Sequence, residues 1–191
     1  MKKKLKYILH TSLNYDNYQI EQIKYILCSF SSEISKLILL AVFFTCIGKV
    51  PEFIVSVICL LTVRSYTGGI HLKHYFSCLL LSFIIFFLGI CILPVHTSLN
   101  VLEILIILGI DIAAVYLLGA VPSPYRLPLT PKQRRHSSNK AAISIVTYMY
   151  ILSLFHECQS LYAGLWIITL QILQLVFAKI NCLLNKGEQP L

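Results

Sequence analysis

Polar positions cut this chain into long apolar runs. Residues 76–95, 101–121, 141–155 and 161–184 are each predominantly apolar, close to the roughly 20 residues that a helix needs to cross a bilayer. Upstream, residues 34–48 and 51–63 form an apolar stretch broken only by Gly48-Lys-Val-Pro-Glu52. Pro51 removes a backbone donor and restricts Val50, which predicts a tight turn between two helices. Each piece is short alone and reaches spanning length if the first begins near Phe30 and the second runs on toward Tyr66. Ahead of them Ile20, Ile23, Leu27 and Phe30 recur at helical spacing, with Glu21, Gln22 and Lys24 off that stripe. This predicts an amphipathic N-terminal helix on the membrane surface; the same residues read equally as an extended start of the first span. The expected fold is an all-α integral membrane protein with about six transmembrane helices in a single membrane domain, residues 1–191. It comprises a basic amphipathic segment, 1–33, a spanning region, 34–184, and a short tail, 185–191.

The positive charges test that count. Of 16 Lys and Arg, six precede or open the first span (Lys2, Lys3, Lys4, Lys6, Lys24, Lys36). Arg64 and Lys73 fall between spans two and three, and Arg126, Lys132, Arg134, Arg135 and Lys140 between four and five. Lys179 and Lys186 lie near the C-terminus, and the alternate loops hold only Lys49. The positive-inside rule then puts both termini and the two basic loops in the cytoplasm. A five-span count would scatter the charges over both sides. Composition agrees: 57% of residues are hydrophobic and 13% charged, against about 25% charged in soluble domains, so a soluble globule could not cover itself and a disordered chain is excluded. The net charge of +8 is accounted for by topology, and no basic patch interleaved with aromatics suggests nucleic acid as a partner. The start, Met1-Lys-Lys-Lys-Leu-Lys, looks like a signal n-region, but Tyr15, Asp16, Asn17 and Gln19 interrupt the next stretch, which argues against a cleaved signal peptide.

Candidate chemistry concentrates between spans two and three, in Arg64-Ser-Tyr-Thr-Gly-Gly-Ile-His71-Leu-Lys-His74-Tyr-Phe-Ser-Cys78. The seven cysteines are scattered, mostly within apolar runs, and form no CxxC pair, so they resemble small hydrophobes rather than a disulfide framework. Cys78 differs in lying near histidines. A Cys beside a His is the minimum set for nucleophilic catalysis, because imidazole takes the thiol proton and the thiolate attacks a carbonyl. On one continuous helix, seven residues return to the same face but about 10.5 Å along the axis. Either His71 lies in a loop folded back over the helix start, as the turn-forming Gly68-Gly69 permits, or the partner is His74, a neighbour at i,i+4. Spacing leaves both open. His71, His74 and Cys78 supply no fourth ligand for zinc, so neither a metal nor another cofactor is expected. Asp111 sits within the 101–121 run, where an ionisable residue is costly and functional by default; Arg64, a polar residue on a neighbouring span and a wet cavity are the candidate environments.

The stretch 64–78 resembles the signature of the accessory gene regulator protein B (AgrB) family of Gram-positive quorum-sensing systems. The shared elements are an Arg, a Gly two residues before a His, and a Cys seven residues after that His. The likeness extends over nearly the whole chain: a basic amphipathic N-terminus, two short spans, the motif and two further spans. A Pro-rich basic loop comes next, residues 121–140, opening Val121-Pro-Ser-Pro-Tyr-Arg-Leu-Pro-Leu-Thr-Pro-Lys-Gln-Arg-Arg, before the last two spans. The resemblance implies a membrane cysteine endopeptidase in the bacterial cell membrane, acting at the cytoplasmic face on a small precursor, AgrD. Cys78 would be the nucleophile and His71 the general base, with Arg64 and Gly69 in support. Cleavage would release the precursor's C-terminal tail and leave an acyl-enzyme thioester, which an internal Cys or Ser then resolves to a thiolactone or lactone. The family's consecutive lysines are here interrupted by Gln133, so Lys132, Arg134 and Arg135 are candidates for binding an acidic tail or for anchoring topology. Six short spans leave little room for a peptide, which leads us to expect a homodimer. A small exporter is the alternative reading; the lack of a visible internal repeat weakens it.

Overall fold

The computed structural model describes residues 17–68, 74–96, 99–119, 130–155 and 158–186. They form helices, with no strand among the described residues. The helices are α1 (Asn17–Cys46), α2 (Val50–Thr67), α3 (Tyr75–Phe87), α4 (Leu93–His96), α5 (Val101–Leu118), α6 (Pro131–Leu154) and α7 (Gln159–Lys186). A single π-helical turn, Leu88–Ile92, joins α3 to α4, so 75–96 is one rod. Pro94 accounts for that turn: it has no N–H to donate, its ring crowds the carbonyl four residues back, and a π turn relieves the crowding. The N–H of Leu93 accordingly bonds to Leu88 O, five residues back.

Helix ends follow local chemistry. The expected turn after α1 is a Schellman motif: Gly48 has φ +73°, its N–H donates to Thr45 O, and Lys49 N donates to Phe44 O at 2.9 Å. Asn100 opens α5, its N–H donating to Glu103 Oε2 at 2.8 Å. Thr130 and Gln133 form a capping box at α6, with Pro131 in the first turn. Two sequence expectations change here. Tyr18–Phe30 is not a separate surface helix, because α1 runs unbroken for 30 residues, about 45 Å at 1.5 Å per residue. Nothing in that stretch breaks a helix, and Leu27 and Phe30 face outward like the apolar residues of the span. The basic loop 121–140 is also shorter than expected, since the capping box starts α6 at Pro131. Lys132, Arg134, Arg135 and Lys140 are therefore helical.

α7 is the central helix. It packs most extensively on α2 and also touches α5, α6, the π turn, α3 and α4. One core lies between α2, α5, α6 and α7, around Val63, Leu108, Ile145, Leu165 and Ile168. The other joins α1, α2, the 75–96 rod and α7, around Phe44, Phe53, Phe86, Ile90 and Ile167, with Phe44 and Phe53 stacked at 5.2 Å between centroids. The central helix comes close because small residues meet it or belong to it. A Cβ on Gly164 would lie 2.9 Å from Cys59 Sγ, and one on Gly89 would lie 2.8 Å from Ile167 Cδ1.

The outer surface is apolar. Val42, Ile58, Leu80, Leu117, Tyr150 and Phe177 all point away from the bundle, Leu117 being 85% exposed. Such a surface needs a nonaqueous neighbour. Val50–Thr67, Tyr75–His96, Val101–Leu118 and Gln159–Ile180 are long and apolar enough to cross a membrane.

Candidate functional site

The site forms at one end of the bundle, where α2 ends and α3 begins. α2 closes at Gly68, φ +78°, whose N–H donates to Arg64 O at 2.9 Å. The Gly68 carbonyl is held from two directions: Gln171 Nε2 of α7 donates to it at 2.8 Å and Thr67 Oγ1 at 3.3 Å. Gln171 is 1% exposed, so the stem of the loop is tied to the central helix from inside the protein. Gly69 and His71 lie outside the described residues.

The chain is described again at His74, the N-cap of α3, with extended φ and ψ. The His74 carbonyl accepts the N–H of Cys78 at 3.2 Å, while its ring is on the exposed surface. Cys78 occupies the first turn of α3 and is 6% exposed. Its sulfur does not face hydrocarbon alone: Lys36 Nζ of α1 donates to Sγ at 3.2 Å and to Glu33 Oε1 at 2.8 Å. One residue back, Ser35 Oγ and Tyr75 Oη share a hydrogen bond of 2.8 Å. The α1–α3 seam is thus pinned twice at the height of the thiol.

Lys36 is the residue that sequence reasoning missed. It counted there as one more positive charge, although an ionisable side chain two residues into an apolar run is itself a functional signal. Gln171, inside the last run, carries the same signal. Arg64 stands one turn before the loop, half-buried, and supplies its carbonyl to close α2.

The other candidates lie at the start of α6. Lys132 and Arg135 are exposed. Arg134 turns back instead, and its Nη2 donates to Leu118 O at 2.6 Å, capping α5. Gly119, at φ +64°, leaves the space that this guanidinium fills. Lys140 lies 5.7 Å above the Tyr66 ring, which keeps the start of α6 beside the end of α2. Asp111 is 3% exposed and has a partner on a neighbouring helix: Thr169 Oγ1 donates to its Oδ2 at 2.9 Å. Among the described residues no group of His, Cys, Asp and Glu could hold a metal ion.

Fold and site together define a multi-pass helical membrane protein with a buried, hydrogen-bonded thiol at one end of the bundle. The family model for accessory gene regulator B matches residues 2–175, and the chain belongs to that family. It is also similar to an AgrB-like protein of Clostridium beijerinckii, 28% identical over 160 residues, covering 81% of this chain and 76% of the relative. No solved structure matches. Membership implies a part in the accessory gene regulator quorum-sensing system, an AgrD-related partner and association with the membrane.

Proposed function

We propose that this protein is a membrane-embedded cysteine endopeptidase that removes the C-terminal tail of an AgrD-type precursor and enables its cyclisation. The observation that carries this reading is the environment of Cys78. A packing cysteine needs no polar partner, whereas this buried thiol sits in a helix's first turn with an ammonium group on its sulfur. That is the kind of electropositive setting in which cysteines act as nucleophiles.

In the reaction, His71 takes the proton of Cys78 and the thiolate attacks the scissile carbonyl, forming a C–S bond. Collapse of the tetrahedral adduct breaks the C–N bond, the leaving amine takes the proton from His71, and the tail departs. An acyl-enzyme thioester remains. A Cys or Ser within the peptide then gives its proton to His71 and attacks the thioester, closing the ring and releasing the Cys78 thiolate, which regains that proton. The thioester lies above the peptide bond in energy, so departure and destruction of the tail draw the first step forward. Gly69 gives the loop its turn, and Arg64 supports charge at the site. Lys132 and Arg135 meet an acidic tail, while Arg134 braces the loop base. We further propose six spans with both termini and this site at the cytoplasmic face, and a homodimer that shelters the peptide.

Reconstitution in liposomes with the precursor encoded beside this protein, read by intact mass, tests the reading. A released tail plus a fragment one water lighter than its linear form is expected, and Cys78→Ser abolishes both. His71→Ala stops cleavage and His74→Ala does not; the reverse result moves the base to His74. A Cys78→Ser protein that inserts and still cleaves its precursor would refute the assignment.

A further inference from the structure

We propose that Lys36 belongs to the catalytic machinery: its ammonium group, fixed by Glu33, holds the sulfur of Cys78 as the attacking anion. This deepens the peptidase reading and rests on it.

A Lys buried within a bundle is expensive unless paired, and an apolar side chain at this place on α1 would pack against α3 without that expense. Lys36 is 3% exposed, and Glu33 is its ion-pair partner at the rim, with a side chain 36% exposed. Glu33 alone would satisfy an ammonium drawn outward to water. Instead the Nζ lies between the carboxylate and Cys78 Sγ, 3.2 Å from the sulfur. The contact joins residues 42 positions apart in the chain, and the Ser35–Tyr75 hydrogen bond holds the same seam in register. Among the described residues, the titratable groups at this seam are Lys36 and, through it, Glu33 on α1, with His74 and Tyr75 at the start of α3.

The ion pair with Glu33 also decides which role the lysine takes. With the Glu33 carboxylate 2.8 Å from its Nζ, Lys36 acts as a counter-ion to the sulfur and not as the base that removes the thiol proton. It neutralises the sulfur before attack and is uncovered again when the thiolate is spent in the C–S bond. The imidazole of the loop is then free to carry the proton from thiol to leaving amine, without also having to stabilise the anion.

The test reads the sulfur itself. Purified full-length protein is treated with iodoacetamide between pH 6 and 10, and alkylation of each cysteine is followed by peptide mass spectrometry. Exposed Cys46 serves as the internal reference. Lys36→Met is expected to slow alkylation of Cys78 at least tenfold at pH 7 and to converge with the parent at the alkaline end, leaving Cys46 unchanged. Lys36→Arg is expected to keep most of the neutral-pH rate, and Lys36→Gln to follow Met. An unchanged Cys78 profile in folded Met or Gln variants overturns the proposal. So does an Arg variant, folded and still cationic, that loses as much as Met. Because alkylation does not depend on cleavage, these outcomes separate from failure of the peptidase reading, which Cys78→Ser reports.

Discussion

Gln171→Leu separates holding the bundle together from holding the loop. The side chain makes one hydrogen bond, to Gly68 O at 2.8 Å, while its own Oε1 is buried without a partner among the described residues. Leucine has a similar volume and removes both facts at once. The lost hydrogen bond is worth about 1 kcal/mol net, whereas a buried orphan acceptor costs about 1–3 kcal/mol. Gly68 O keeps a share of the Thr67 hydroxyl at 3.3 Å, whose single proton also serves Val63 O at 3.1 Å. Removing the orphan offsets the lost bond, so the net change runs from about zero to a gain of about 2 kcal/mol. Loop alignment has no such compensation, because the tether to α7 is gone. One kcal/mol of lost alignment corresponds to about a fivefold effect, so tail cleavage should fall about fivefold or more while the thermal midpoint in detergent holds or rises. Gln171→Glu brings a second acceptor against the carbonyl and should lower both cleavage and midpoint. Parental cleavage by a folded Gln171→Leu protein would refute the idea that α7 positions the loop; a collapse of its thermal midpoint would show that the residue serves packing instead.

Two further outcomes are expected from other parts of the bundle. Cys46, the last residue of α1, and Cys158, between α6 and α7, are exposed, so a membrane-impermeant maleimide applied to intact cells should label both and spare Cys78; labelling of Cys78 alone would reverse the proposed orientation. Thr169→Val removes the hydroxyl that donates to Asp111 and should cost about 1–3 kcal/mol. Adding Asp111→Asn should recover much of that loss, and strict additivity in a double-mutant cycle would show that the two residues are not coupled.

The helical rods were legible because apolar runs of spanning length have few alternatives, and the turn at Gly48 because Gly and Pro mark it directly. Boundaries were less so. The polar first turns of α6 carry no apolar periodicity, so the cues that a helix starts before residue 141 are the Thr130–Gln133 capping box and Pro131. The continuity of α1 was equally hidden, since a stripe such as Ile23, Leu27 and Phe30 suits both a surface helix and the approach to a span. At the site, spacing singled out Cys78 because its companions His71 and His74 are close in sequence. Lys36 and Gln171 reach the same place from positions 42 residues from Cys78 and 103 from Gly68. Pairings of that range depend on how helices dock, which no local pattern encodes.

The order of the helices sets a schedule for assembly. α7 comes last in sequence among the described helices, yet it is the one against which both cores close. As helices enter the bilayer one after another, α2 waits with its inner face uncovered, and Gly68 has no Gln171 to receive. The α1–α3 seam, with Lys36 beside Cys78, can form from the first three rods alone. Cys78 and Lys36 can therefore meet early, while Gly68 at the end of α2 gains its tie to α7 only when synthesis has passed residue 171. A chain stalled before that point holds the Lys36–Cys78 contact but lacks the Gln171 tie on Gly68.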